Sequence, residues 1–190
     1  MTRSLSLLGI SGSLRAASTN TLLVREAARL FAPDRFELAD IRFPLFDADL
    51  QADEGIPAAV EELADQILAA DAIIISTPEY NKNLPGGLKN ALDWVSRTDG
   101  TPWLKKPVAI MSAAAGRAGG ERAQFSLRHC MTPFNPRILQ GPEVMIANSG
   151  KAFDTDGRLI DERSTAFLQI LMDDLKALAQ TEPVATGLPA

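Results

Sequence analysis

The chain has 190 residues, somewhat more than one domain of ~150 residues, so one domain with a sizeable core is expected, spanning residues 1–180. Hydrophobic residues make up 46% and charged residues 23%, with an ordinary 13 glycines and 12 prolines, which excludes disordered, collagen-like and disulfide-stapled classes. A formal charge of -5, from 19 Lys+Arg against 24 Asp+Glu and without a basic stripe, argues against a nucleic-acid partner.

Ser4 to Ile10 reads as a short buried strand running into the tight loop Gly9, Ser11, Gly12 and Ser13. Leu23, Ala27, Leu30 and Phe31 recur at helical spacing, so an amphipathic helix is expected from near Asn20 to Pro33. A second strand is expected around Phe36 to Asp40, followed as far as Leu50 by a loop rich in Phe, Pro and Asp. Pro57 then opens a helix with Val60, Leu63, Ala64, Ile67 and Leu68 on one face. The run AIIIS, Ala72 to Ser76, lacks polar alternation and suits a central parallel strand covered on both sides, as do Val108 to Met111 and Val144 to Ala147.

Between these strands, helices are expected from Gly87 to Arg97, where Leu88, Ala91, Leu92 and Trp94 are packing residues, and from Glu121 to Met131. In the second of these, Leu127, Cys130, Met131 and Phe134 share helical spacing. A last helix carries Phe167, Ile170, Leu171, Leu175 and Leu178 on one face, and the closing TEPVATGLPA, residues 181–190, reads as a loose tail. This alternation of strands and helices implies one parallel sheet with right-handed crossovers and helices on both faces. Ligands of such sheets bind outside the carboxyl ends of the strands.

Three loops meet that condition. The first, Ser11-Gly12-Ser13-Leu14-Arg15-Ala16-Ala17-Ser18-Thr19-Asn20, has an anion binder's parts: hydroxyls, helix-start amides and the planar fork of Arg15. A plain helix entry capped by Ser18 or Thr19 explains the same residues. The loop matches neither G-x-x-x-x-G-K-[ST] nor G-x-G-x-x-G, and Ser13 stands where a nucleophile elbow needs glycine. The second, Thr77 to Gly87, is stiffened by Pro78 and Pro85 and presents Tyr80 and Asn81 as a flat face beside an amide. The alternative is a rigid connector with Tyr80 packed on the core. In the third, Ser112 to Gly120, glycines allow close backbone approach and Arg117 adds a positive charge, although a flexible turn before a helix has the same composition.

Other chemistry is excluded. One cysteine, Cys130, and one histidine, His129, supply neither an internal disulfide nor a histidine metal cage, and their adjacency on a helix aims them apart. Cys130 is expected as a small core residue, and no metal site is expected. Asp154-Thr155-Asp156-Gly157 begins like a calcium loop, but its glycine comes too early, so it reads as a surface turn. The start MTRSLSLLGISGSL is too short for a spanning helix and has no cleavage pattern, so no membrane association and a cytoplasmic, reducing environment are expected.

Taken together, SGSLRAASTN, PEYNKNLPGGLKNALDW and the Ser112 to Gly120 loop resemble the NADPH-dependent FMN reductase family of flavodoxin-like proteins. GRAGGERAQFSLRH and GPEVMI are most similar to its quinone and chromate reductase branch, and the resemblance spans roughly Leu5 to Ala147. It implies a three-layer flavodoxin-like sandwich with a five-stranded parallel sheet in the order 2-1-3-4-5. It also implies FMN as cofactor and NADPH or NADH as co-substrate. On this resemblance Ser13, Arg15, Ser18, Thr19 and Asn20, with Ser11, surround the flavin phosphate. Pro78, Glu79, Tyr80 and Asn81 line the ring, Glu79 largely through its backbone, the amides near Gly116 reach the ring's pyrimidine end, and Ser112 is a further cofactor-binding candidate.

The implied reaction is ping-pong: NADPH reduces the flavin, then a quinone, chromate, azo or flavin acceptor takes its place, with no side-chain catalytic residue. A homodimer or homotetramer is expected, with Glu143 and Arg122 either in an interface network or in ordinary surface pairs, and Phe125 stands where relatives often carry tyrosine. Arg117 is a candidate for the extra phosphate of NADPH. The competing readings are a flavodoxin-type electron carrier, whose T-x-T-G-x-T pattern is missing here, and a cofactor-free domain of the same fold.

Overall fold

Alternate residues of the central strands point into two different helical layers, which is why their sequences show no polar face. A computed structural model describes residues 4–181 and contains β1 (Ser6–Ser11), β2 (Arg35–Ala39), β3 (Ala72–Thr77) and β4 (Pro107–Ala113), all parallel and ordered β2-β1-β3-β4. Leu8, Ile10, Ile73, Ile75, Val108 and Ile110 face one layer, formed by α3 (Ala58–Ala69), α4 (Gly86–Val95) and α5 (Glu121–Met131). Leu7, Ala72, Ile74, Ala109 and Met111 face the other, formed by α1 (Thr19–Phe31) and α6 (Glu162–Gln180). The result is the expected flavodoxin-like sandwich, with the order 2-1-3-4-5.

The fifth position differs from expectation. It is filled by two short strands in tandem, β5 (Arg137–Ile138) beside Pro107 and Val108, and β6 (Val144–Ile146) beside Met111 to Ala113. The expected strand at Val144 to Ala147 is the second of these. Pro142 lies between them and lacks the N–H that a continuous ladder requires.

Three helical details also differ. A short helix, α2 (Ala48–Glu54), begins inside the expected loop, capped by the Asp47 carboxylate accepting from the Asp49 N–H at 2.9 Å. None of its residues is buried, so no apolar period marks it. On α3, Leu68 turns to solvent while Val60, Leu63, Ala64 and Ile67 are buried. On α6 the buried face is Leu168, Leu171, Met172, Leu175 and Ala179, leaving Phe167 and Ile170 outside. The buried stripe lies about one helical step from the expected one, because Leu171 and Leu175 belong to either stripe.

Close packing near the carboxyl ends of the strands depends on small and polar residues. A Cβ on Gly9 would strike Val24 of α1, and would come within 2.9 Å of the Phe36 ring. Further along, Asn20 in the first turn of α1 is 2% exposed and joins three elements. Its Nδ2 donates to the Ala113 carbonyl at 2.9 Å, and its Oδ1 accepts from the Ala113 N–H at 3.0 Å and the Ser76 hydroxyl at 2.8 Å. The 181–190 tail lies, beyond Thr181, outside the described residues.

Replacing Asn20 with alanine strands two backbone groups and one hydroxyl in a buried setting, so Asn20→Ala is expected to lose about 2–4 kcal/mol of stability. Urea unfolding checks this: the midpoint falls while the slope stays constant.

Candidate functional site

At the end of β1 the chain turns through Ser11 to Ser18 and enters α1. Ser18 is the N-cap, its hydroxyl accepting from the N–H groups of Asn20 at 3.2 Å and Thr21 at 3.4 Å. The Gly12 N–H donates to the Ser76 carbonyl at 2.8 Å, and Thr21 Oγ1 donates to Ser11 Oγ at 3.0 Å, which pins the loop to the sheet and the helix. Arg15 stays exposed, and its guanidinium makes no hydrogen bond or ion pair among the described residues. Ser13, Arg15, Ser18, Thr19 and Asn20 line a cleft of about 200 Å³, closed on its other sides by Pro78, Glu79, Tyr80, Ala113, Ala114, Ala115 and Ser149.

The second loop is a tight hairpin. Tyr80 and Asn83 exchange both backbone hydrogen bonds at 3.0 Å, while Asn81 and Lys82 between them have φ of 51° and 67°. Two left-handed central residues are the pattern of a type I′ turn, which favours asparagine followed by glycine. Tyr80 is 53% exposed rather than packed on the core. The hairpin is fastened to α5 at both ends. The Glu79 carboxylate accepts from the Arg122 N–H at 3.1 Å and from its guanidinium at 3.3 Å, capping a helix whose own N-cap residue, Gly120, has no side chain to offer. Ser126 donates to the Asn83 side-chain oxygen. The Glu79 side chain is thus engaged with α5, and Arg122 pairs with Glu79 and not with Glu143. Glu143 instead lies near Arg128, whose guanidinium burial pushes below its ordinary value and the Glu143 charge partly restores.

The third loop places its groups differently from expectation. Ser112 is fully buried, donating to the Gly119 carbonyl at 2.7 Å and accepting from Gln124 Nε2 at 2.8 Å. Gly120, at φ 99°, passes so close that a Cβ there would stand 2.8 Å from the Ser112 Cβ. Ala113, Ala114 and Ala115 line the cleft, whereas Gly116 is exposed beyond it.

Of the twelve candidates, Ser13, Arg15, Ser18, Thr19, Asn20, Pro78, Glu79 and Tyr80 line one cleft, while Ser11, Asn81, Ser112 and Gly116 stand behind or beside it. Asn20 lines it with a side chain already committed to Ala113 and Ser76. Sequence reasoning missed Ser149, which is buried and accepts from Thr19 Oγ1 at 3.1 Å. The signal was topological: Ser149 follows β6, whose carboxyl end opens on the same edge of the sheet. His129 is exposed and Cys130 half-buried on α5, both outside the cleft. Asp154 to Gly157 form a hairpin turn in which Asp154 Oδ1 accepts from the Asp156 and Arg158 N–H groups, and no cluster of metal-ligating side chains occurs among the described residues. No described helix is long and apolar enough to cross a membrane.

The arrangement fits a phosphate-bearing flavin. Arg15 with its unpaired guanidinium, the hydroxyl residues Ser13, Thr19 and Ser149, and the first turn of α1 line the same cleft as the half-exposed Tyr80. The hairpin also yields a stability expectation. Lys82→Gly should raise stability by about 0.5–1 kcal/mol, because glycine meets no Cβ clash at φ 67°; a higher thermal midpoint checks it.

Residues 5–151 match the model of the NADPH-dependent FMN reductase family. An NAD(P)H-dependent FMN reductase of Pseudomonas aeruginosa is 46% identical over 171 residues, covering 89% of this chain and 92% of that protein. A quinone reductase of Escherichia coli is 43% identical over 151 residues, covering 76% and 79%. Among solved structures, the flavoenzyme NAD(P)H:(acceptor) oxidoreductase FerB of Paracoccus denitrificans superposes with a TM-score of 0.82 at 33% identity, covering 92% of this chain and 97% of that one. A family match over most of the chain, relatives above two-fifths identity and a fold shared almost end to end make this protein a member of the NADPH-dependent FMN reductase family.

Proposed function

We propose that this enzyme oxidises NAD(P)H and reduces a small acceptor of the quinone, flavin, azo or chromate type by a ping-pong reaction at one cleft. The observation that carries this reading is the meeting of unpaired Arg15 and the hydroxyls of Ser13, Thr19 and Ser149 with exposed Tyr80 around one cleft. When bound, FMN supplies hydride uptake from NAD(P)H and hydride delivery to the acceptor. The chain's residues hold and orient it. Arg15 and the three hydroxyls bind the phosphate, while Ser18 caps α1 and keeps its dipole aimed at the same charge. Ser11, Asn20 and Ser112 hold the loops in place from behind.

Pro78, the Glu79 backbone, Tyr80 and Asn81 form the ring-side wall. Fastening this wall to α5 through Glu79 and Asn83 keeps one ring face open to successive substrates. Ala114 and Ala115 supply the approach to the electron-rich end of the ring. No side chain in the cleft serves as a nucleophile, which agrees with the positions of His129 and Cys130 outside it. Quinones are the favoured acceptors, because the relative from Escherichia coli is named a quinone reductase. A cytoplasmic location, where NAD(P)H is supplied, is part of this reading.

Arg15→Ala is expected to weaken FMN binding by about 1.5–3 kcal/mol, the scale of a charge-assisted hydrogen bond lost from a phosphate. A fluorescence titration with FMN checks this, and an unchanged dissociation constant would remove Arg15 from the phosphate site. The reaction itself is tested by an anaerobic visible spectrum of the FMN-loaded, desalted protein before and after one equivalent of NADPH. Bleaching within seconds is the expected result. A band that persists identifies an electron carrier, and a protein that retains no band rejects the cleft as a flavin site.

A further inference from the structure

The outward face of α6 is apolar at its centre and oppositely charged at its two ends. Phe167 is 40% exposed and Ile170 49% exposed, although the helix buries a full inner face of Leu168, Leu171, Met172, Leu175 and Ala179. Arg163 stacks over the Phe167 ring at 5.6 Å and is exposed, and Asp174 is exposed with no ion pair among the described residues. Ile160, just ahead of the Asp161 cap, is 61% exposed, and Ala177 is exposed near the other end. Within α6, Arg163, Phe167, Ile170, Asp174 and Ala177 are spaced alternately by four and three residues. That is the a/d seam of a helix that packs against another helix. The nearby polar groups are occupied elsewhere: Asp173 accepts from Gln169 at 2.8 Å, and Lys176 lies over the Phe31 ring at 5.2 Å.

We propose that this seam binds a second copy of the chain, α6 against α6, antiparallel about a two-fold axis between Leu168 and Gln169. In that register Phe167 of each copy meets Ile170 of the other, and Arg163 meets Asp174. Every layer is then apolar on apolar or opposite charge on opposite charge. A parallel pairing sets Arg163 on Arg163 and Asp174 on Asp174, and like charges in contact oppose it. Two-fold self-complementarity is the condition an isologous interface must meet. A single helix pair buries less than the ~1,200–2,000 Å² of a standard interface, so the association is weak and concentration-dependent. It adds a contact to whatever assembly the flavin cleft requires and does not depend on the flavin reading.

Sedimentation of the FMN-loaded full chain from micromolar to millimolar concentration tests this. The expected result is a rise in mass above that of the assembly present at micromolar concentration, which Ile170→Glu moves at least about tenfold higher in concentration. Arg163→Asp alone and Asp174→Arg alone each weaken the rise about fivefold or more, and the double swap Arg163→Asp with Asp174→Arg restores it. The three positions are exposed, so the flavin band of each variant stays as in the parent protein, which separates a lost contact from a lost fold. No concentration-dependent rise, single swaps without effect, or a double swap that fails to restore association would each overturn the proposal.

Discussion

The architecture of the cleft depends on the buried carboxamide of Asn20. A parallel sheet leaves its ligand site to loops, which carry unpaired backbone groups and drift unless something holds them. Here one side chain in the first turn of α1 satisfies both backbone groups of Ala113 at the end of β4 and takes the hydroxyl of Ser76 on β3. The helix start, and with it the Ser18 cap and the Arg15 loop, is thereby fixed against two neighbouring strands. An amide is suited to this task because it donates and accepts at once, whereas a carboxylate or an aliphatic side chain of similar size leaves one partner unmatched.

The second constraint is electrostatic and reaches across from a different helix. Helix α5 starts at glycine residues that let the chain pass close over Ser112, at the cost of a side chain able to cap the helix. The Glu79 carboxylate fills that role from the neighbouring hairpin and gains the Arg122 guanidinium as a second donor. One ion pair thus completes a helix terminus and holds the hairpin, with the Asn83 contact to Ser126 as its other anchor. The same interaction directs the charge of an acidic residue at the cleft away from it, into a positive helix end.

Much of the fold was readable from residue patterns. The all-apolar run at Ala72, the stripe on α1 and the glycine-serine exit from β1 each carry a physical signal that local geometry preserves. The failures have physical causes as well. Helix α2 buries nothing and so leaves no period, the fifth strand was divided by a proline whose effect depends on its neighbours, and α6 carries two overlapping apolar stripes. Phe167 and Ile170 read as core because hydrophobicity marks a face that needs covering without saying by what.

Residue types and order were enough to determine the doubly wound sheet and the loops at the carboxyl ends of its strands, since these follow from periodicity, turn residues and charge. Tertiary structure alone decided which polar residues line the cleft and which support the frame. Asn20, Ser112 and Glu79 read as cleft residues in the chain, yet their side chains are committed to Ala113, Gly119 and Arg122. Ser149 read as nothing and stands beside Thr19. A side chain's partners are set by contacts between elements distant in sequence, which local pattern does not encode, whereas the backbone's preferences are set largely by near neighbours.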